Sequence, residues 1–114
     1  MPPTPIPETD LARVRRWCAA AVPEHALHQV RVEFHVRGRN VTLCETRAPF
    51  VGVGEWTHSA IAQLRYRVGT QDWALYWGDR NERWHEYAEG NRQFGTVEEL
   101  LAEVDDDPTF IFKG

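Results

Sequence analysis

The chain has 114 residues, a net charge of −4 at pH 7 and a sequence pI of about 5.7. A chain of this length buries about two-thirds of its unfolded surface, so one domain can form without disulfides or metal. The acidic balance argues against a general nucleic-acid binder, which is usually strongly basic, and no apolar run approaches the ~18 residues that a membrane span requires.

Residues 1–7, M-P-P-T-P-I-P, hold four prolines. Proline fixes φ and removes a backbone donor, so an extended, disordered tail with no part in the core is expected there, followed by a single domain over 8–114. The same stretch is too polar and proline-rich for a signal peptide. Pro7-Glu8-Thr9-Asp10 reads as a helix start, with Thr9 or Asp10 as the cap. Leu11, Val14, Cys18, Ala21 and Val22 then recur at helical spacing, and Pro23 ends the run.

Val30, Val32, Phe34 and Val36 alternate with Arg31, Glu33, His35 and Arg37, the pattern of a strand buried on one side. Gly38-Arg39-Asn40 turns the chain. Val41–Arg47 returns with weaker alternation, since Glu45 and Arg47 share the parity of Val41 and Leu43. A bulge or an edge position would reconcile this. Ala48–Glu55 reads as a loop. Beyond it Ala60, Ala62, Leu64, Tyr66 and Val68 share one face, and Gln63, Arg65 and Arg67 the other.

After Gly69–Asp72, Trp73, Leu75 and Trp77 point to the core and Ala74 and Tyr76 away from it. Gly78–Glu82 is a polar hairpin loop and Arg83–Tyr87 a short returning strand. Trp56 and Trp84 are expected in the core or partly in it; if exposed, they would form a stacking surface. Ala88–Gly95 reads as a loop. Thr96-Val-Glu-Glu99 spells a capping box. It opens a helix with Val97, Leu100, Leu101 and Val104 inward, stopped by Asp105-Asp106-Asp107-Pro108. Thr109–Phe112 is an apolar tail expected to dock.

The expected architecture is two-layer α+β. An antiparallel meander of about five strands carries an N-terminal and a C-terminal helix on one face and leaves the other face polar. The phrases I-A-Q-L-R-Y (61–66), L-Y-W-G-D-R-N-E-R-W-H-E-Y (75–87) and L-L-A-E-V-D-D-D-P-T-F-I-F-K-G (100–114) resemble the bacterial family called domain of unknown function 3024. V-R-R-W-C (14–18), V-P-E-H (22–25) and V-R-V-E (30–33) fit it too. The chain departs from the family pattern at Phe50 and Lys113, where tryptophan is expected. The resemblance implies no activity that can be carried over to particular residues.

The polar face is the first candidate surface. It should display Arg31, Glu33, His35, Arg37, Gln63, Arg65, Arg67 and Tyr76, a local positive field suited to a phosphate, a carboxylate or an acidic partner. The plain alternative is a solvated face with cross-strand Arg–Glu pairs. The second candidate is the hairpin Asp79, Arg80, Asn81, Glu82, Arg83, His85 and Glu86. Asp79 and His85 lie within reach of each other as a general acid–base pair. Asp and Asn are also ordinary turn residues, and nothing beside them supplies a nucleophile or an oxyanion hole.

Cys18, Cys44, His25, His28 and His35 show no zinc spacing, so neither a metal nor any other cofactor is expected. With no CxxC among the two cysteines, a cytoplasmic protein with reduced thiols is expected. The reading is a small binding or protein-interaction module, without catalysis, taking a protein or a small anionic ligand on the polar face. The alternative is a small hydrolase-type enzyme using His35, Tyr76, His85 and Glu33 or Asp79; nucleic-acid contact is weaker still. An exposed edge at Val41–Arg47 or Arg83–Tyr87 would permit a homodimer.

Overall fold

The computed structural model describes residues 6–49 and 53–112. Phe50, Lys113 and most of the proline tail lie outside that range. Two helices, α1 (Glu8–Ala20) and α2 (Val97–Asp106), flank six strands: β1 (Val30–Arg37), β2 (Asn40–Arg47), β3 (Thr57–Arg67), β4 (Asp72–Gly78), β5 (Trp84–Glu86) and β6 (Phe94–Gly95). The first five strands form an antiparallel meander in sequence order. The short β6, inside the expected loop Ala88–Gly95, pairs with the start of β4, while β5 pairs with its end.

The alternation explains the layering. Phe34, Leu43 and Ala62 line up across β1, β2 and β3, and Val36, Val41, Leu64 and Leu75 line up across β1 to β4. All these side chains point to one face, over which α1 packs on β1 and α2 on β3 and β4. Leu11, Val14 and Cys18 of α1 and Val97, Leu100, Leu101 and Val104 of α2 complete the core. Each fully buried aliphatic side chain there contributes about 1.5–3 kcal/mol.

Ile6 is 2% exposed and belongs to this core, so the proline-rich segment does take part in packing at its last residues. The cap of α1 also differs from expectation. Pro7 occupies the N-cap position and no side chain caps the helix. The reason is competition: Asp10 accepts from the buried Trp73 indole at 2.9 Å and from Arg13 at 3.2 Å. Arg13 reaches on to Glu98 of α2 at 2.9 Å, and the Trp17 indole donates to Asp105 at 3.0 Å, so the two helices are tied along their length.

α2 has the expected capping box: the Glu99 amide donates to the Thr96 hydroxyl, and the Thr96 amide to the Glu99 carboxylate. Asp107 ends the helix in the left-handed region at φ 44°, and its carboxylate accepts from the Phe112 amide at 3.0 Å. The acidic run is therefore more than a helix stop, since Asp107 orders the tail. Ile111 and Phe112 dock on the core, while Phe110 is 73% exposed. Phe112 meets the Tyr87 ring at 4.9 Å.

β2 corrects two expectations. It lies inside the sheet between β1 and β3, so it is no edge; the free edges are β1 on one side and β5 with β6 on the other. Its own pairing with β1 is regular, and Glu45 and Arg47 do stand on the helix side, opposite Val32 and Val30. There they pair with each other at 2.6 Å. The irregularity sits instead in β3. Leu43 faces Ala62, but Cys44 faces Ala60, so Ile61 is the extra residue of a bulge. The bulge reverses parity, and Ala60 stands on the polar face rather than with Ala62 and Leu64.

Candidate functional site

The register assembles the polar face in rows. Arg31, Thr46 and His58 form one; Glu33, Cys44 and Ala60 the next; His35, Thr42, Gln63, Tyr76 and Glu86 the third; Arg37, Asn40, Arg65, Ala74 and Phe94 the fourth. Residues directly opposite in an antiparallel pair share a face. Arg67 and Asp72 follow as a fifth row, so all the residues expected on this face from β1, β3 and β4 are on it.

Three arginines lie over aromatic rings along this surface: Arg31 over Trp56 at 4.8 Å, Arg65 over Tyr76 at 3.8 Å and Arg67 over Phe94 at 4.0 Å. Each stack contributes about 0.5–1 kcal/mol at an exposed site. Polar bonds fix the guanidinium planes further. Arg65 Nε donates to Gln63 at 2.7 Å, and the Gln63 amide donates to Thr42 at 3.0 Å. Arg31 Nε donates to the Leu27 carbonyl at 3.0 Å. Arg67 grips Asp72 with two bonds of 2.8 and 2.7 Å, which pulls the Asp72 carboxyl below its ordinary range.

Arg67 is thus spent within the fold. Arg31 and Arg65 are not: among the described residues, their terminal guanidinium nitrogens have no acceptor. Beneath Arg31, Thr46 is 2% exposed and its hydroxyl donates to the Arg31 carbonyl at 3.5 Å.

The β4–β5 turn is a second piece of built chemistry. One Asp79 carboxylate oxygen accepts from the amides of Asn81 at 2.8 Å and Arg83 at 3.0 Å. The other meets His85 Nε2 at 2.7 Å. The His85 hydrogen bond, then the Arg83 amide, hold the Asp79 carboxyl down to about 2. Glu82 takes φ 63° at the turn. Both carboxylate oxygens are occupied, so Asp79 acts as the clamp of the hairpin. Arg80 and Arg83 have no ion-pair partner among the described residues.

His85 faces Trp77, with the rings stacked at 4.6 Å, and therefore stands on the helix side of the sheet. His35 stands on the polar side of β1. Four strand spacings of about 4.8 Å, roughly 19 Å, and the sheet itself separate the two. The set His35, Tyr76 and His85 is not brought together. Trp77 is only partly buried, because its helix-side position lies beside His85 at the end of β4.

A cleft of about 490 Å³ opens at the bottom of the polar face, lined in part by His58, Ala60, Gly78, Arg80, Glu82 and Trp84. Trp84 faces Gly78 across the strand pair and its ring packs close against it. A methyl group at Gly78 would stand 3.3 Å from the ring, so glycine permits the close approach. Trp56, Tyr76 and Phe94 each carry an arginine, whereas Trp84 carries none among the described residues. His58, Trp84 and Phe94 were not legible as one surface from the sequence. The bulge at Ile61 brings His58 and Ala60 to this face, and β6 brings Phe94.

Fold and surface together define a small two-layer α+β domain with an arginine–aromatic sheet face. The chain belongs to the family described as domain of unknown function (DUF3024), whose model matches residues 1–114. No curated protein and no solved structure matches the chain significantly.

Proposed function

We propose that the protein is a small cytoplasmic binding module, without catalysis, whose polar sheet face takes an anion: a small phosphate or carboxylate ligand, or the acidic surface of a protein. The observation that carries this is the posture of Arg31 and Arg65. Each lies over a ring and is anchored through Nε, with its terminal N–H donors unspent among the described residues. A guanidinium fixed in this way has already lost most of its rotamer freedom, so an incoming carboxylate or phosphate meets a pre-oriented fork. The free thiols Cys18 and Cys44 support the cytoplasmic placement.

The hydrolase-type alternative has less support. The carboxylate–imidazole contact among the described residues, Asp79 with His85, is held by turn amides and by the Trp77 ring. Nucleic-acid contact would use the same rings and would show a steep loss of affinity with salt.

The test is a titration of isotope-labelled protein with phosphate, citrate and a short acidic peptide, followed by amide chemical shifts. Shifts confined to the rows of Arg31 and Arg65, and lost in the Arg31→Ala, Arg65→Ala double variant, are expected. Saturable binding that survives in the double variant, or no shift on this face with any of the three, refutes the reading.

A further inference from the structure

We infer that β1 is a homotypic docking edge, and that two copies pair antiparallel through it in one register, with Phe34 facing Phe34 across a two-fold axis. The backbone hydrogen bonds beside β1 fix which of its groups are free. The Ala48 amide donates to the Gln29 carbonyl, and residues 29 and 48 continue the β1–β2 register. Alternate residues of an antiparallel strand bond the same neighbour. Residues 31, 33, 35 and 37 therefore bond inward to β2. Val30, Val32, Phe34 and Val36 aim their N–H and C=O groups outward, and no described residue bonds them.

Two common blocks, a proline and a bulge, are absent from this edge. It runs regularly for its whole length, Val30–Arg37, without proline or bulge. Val36, at its end, is 43% exposed.

Charge then selects the occupant and the register. Outward-bonding residues must face one another, which leaves three central registers for a symmetric pair. If Val32 faces Phe34, Glu33 meets Glu33 at the centre, and like charges directly opposite destabilise. If Val32 faces Val32, the pairing shifts toward Gln29, Val36 stays uncovered, and Glu33 must recruit Arg31. That side chain is already drawn inward over Trp56 and onto Leu27. If Phe34 faces Phe34, Glu33 meets His35 of the second copy twice, Val36 meets Val32 twice, and the pairing runs from Arg31 to Arg37. Arg31 and Arg37 stand opposite each other at the ends, where Arg31 is held over Trp56 away from the seam and the exposed Arg37 turns into solvent.

A second copy of this chain is thus the complementary partner. Because the two-fold axis is normal to the sheet, both helix layers fall on one side and both polar faces on the other. The strand pair is small for an interface, so the association is weak and depends on concentration.

The test is sedimentation velocity of the full chain over a wide concentration range, with circular dichroism to show that each variant folds. The wild type is expected to dimerise reversibly. Val36→Pro, which removes an outward N–H that the monomer does not use, should raise the dissociation constant about tenfold or more. His35→Glu should do the same, by placing carboxylates opposite Glu33. Adding Glu33→Arg to His35→Glu should restore the dimer. A monomer at every concentration overturns the inference, as does a dimer indifferent to Val36→Pro. A dimer weakened by Val36→Pro but unchanged by His35→Glu overturns the register.

Discussion

The bond between Tyr87 and Glu103 offers the sharpest test of how the hairpin is held to α2. Tyr87 is fully buried, and its hydroxyl donates to the Glu103 carboxylate at 2.7 Å. The same oxygen accepts from the Asn91 amide at 2.9 Å, and Glu103 is only 7% exposed. Tyr87→Phe removes the hydroxyl and keeps the ring on Phe112. A hydrogen bond to a charged group contributes about 1.5–3 kcal/mol, and the carboxylate left behind has little water to replace it. At about 4 °C per kcal/mol for a domain of this size, the melting midpoint should fall by roughly 6–12 °C.

Thermal and urea unfolding followed by far-ultraviolet circular dichroism would measure this. The pH dependence adds a second readout. Burial first, and the Glu103 contact second, push the Tyr87 hydroxyl from an ordinary value of 10.0 up to about 12. The folded value lies above the unfolded one, so this contribution is complete below pH 10 and is lost as pH rises through about 12. The Tyr87→Phe protein should lack that alkaline loss. A variant melting within about 2 °C of the wild type, with the same alkaline profile, would refute the reasoning.

Gly90→Ala should be among the most damaging small substitutions, costing about 3 kcal/mol by urea unfolding, because its methyl group would overlap the buried Tyr87 hydroxyl. Asp10→Ala strands the indole N–H of Trp73, which is 1% exposed, and should cost about 1–3 kcal/mol in the same assay. Thr96→Ala opens the capping box and should cost about 1 kcal/mol, read as a lower melting midpoint. Burial raises the Cys18 thiol to about 11, and burial with the nearby Glu33 raises Cys44, so both should alkylate slowly in the native protein and rapidly in urea.

Much of this molecule could be read from side-chain period. Val30 to Val36, Ala62 to Tyr66 and Trp73 to Trp77 announce their faces because a one-sided burial demands alternation. Thr96 to Glu99 announces a helix start because its bonds are local. What escaped the pattern was non-local. The weak alternation of β2 signalled an irregularity, but the extra residue proved to be Ile61 in the neighbouring strand. Glu45 and Arg47 are polar on the helix side because they pair with each other there, not because β2 is an edge. Ile6 is buried because the prolines beside it restrict the backbone without preventing one side chain from packing.

The candidate surface followed the same division. Parity placed Arg31, Glu33, His35, Arg65, Arg67 and Tyr76 together. It said nothing of which rings the arginines would cover, because Trp56 and Phe94 arrive from segments outside the long strands. His85 was misleading for a simple reason. It neighbours the turn residues Asp79, Arg80 and Arg83 in sequence, but its pairing with Trp77 turns it to the other side of the sheet.

The ties that α1 makes to α2 and to β4 carry a kinetic consequence. Trp17 and Asp105 are 88 positions apart, and Asp10 and Trp73 are 63 apart. The strands of the meander, by contrast, pair with their neighbours in sequence and close short loops. A transition state built on the central hairpins therefore forms at small entropic cost, while the helix layer must wait for both ends of the chain to meet. Substitutions in β2–β3 and β3–β4 contacts should slow refolding, whereas loss of the Trp17–Asp105 bond should chiefly speed unfolding. The helices that complete the core thus act as its latch, set after the sheet is already in place.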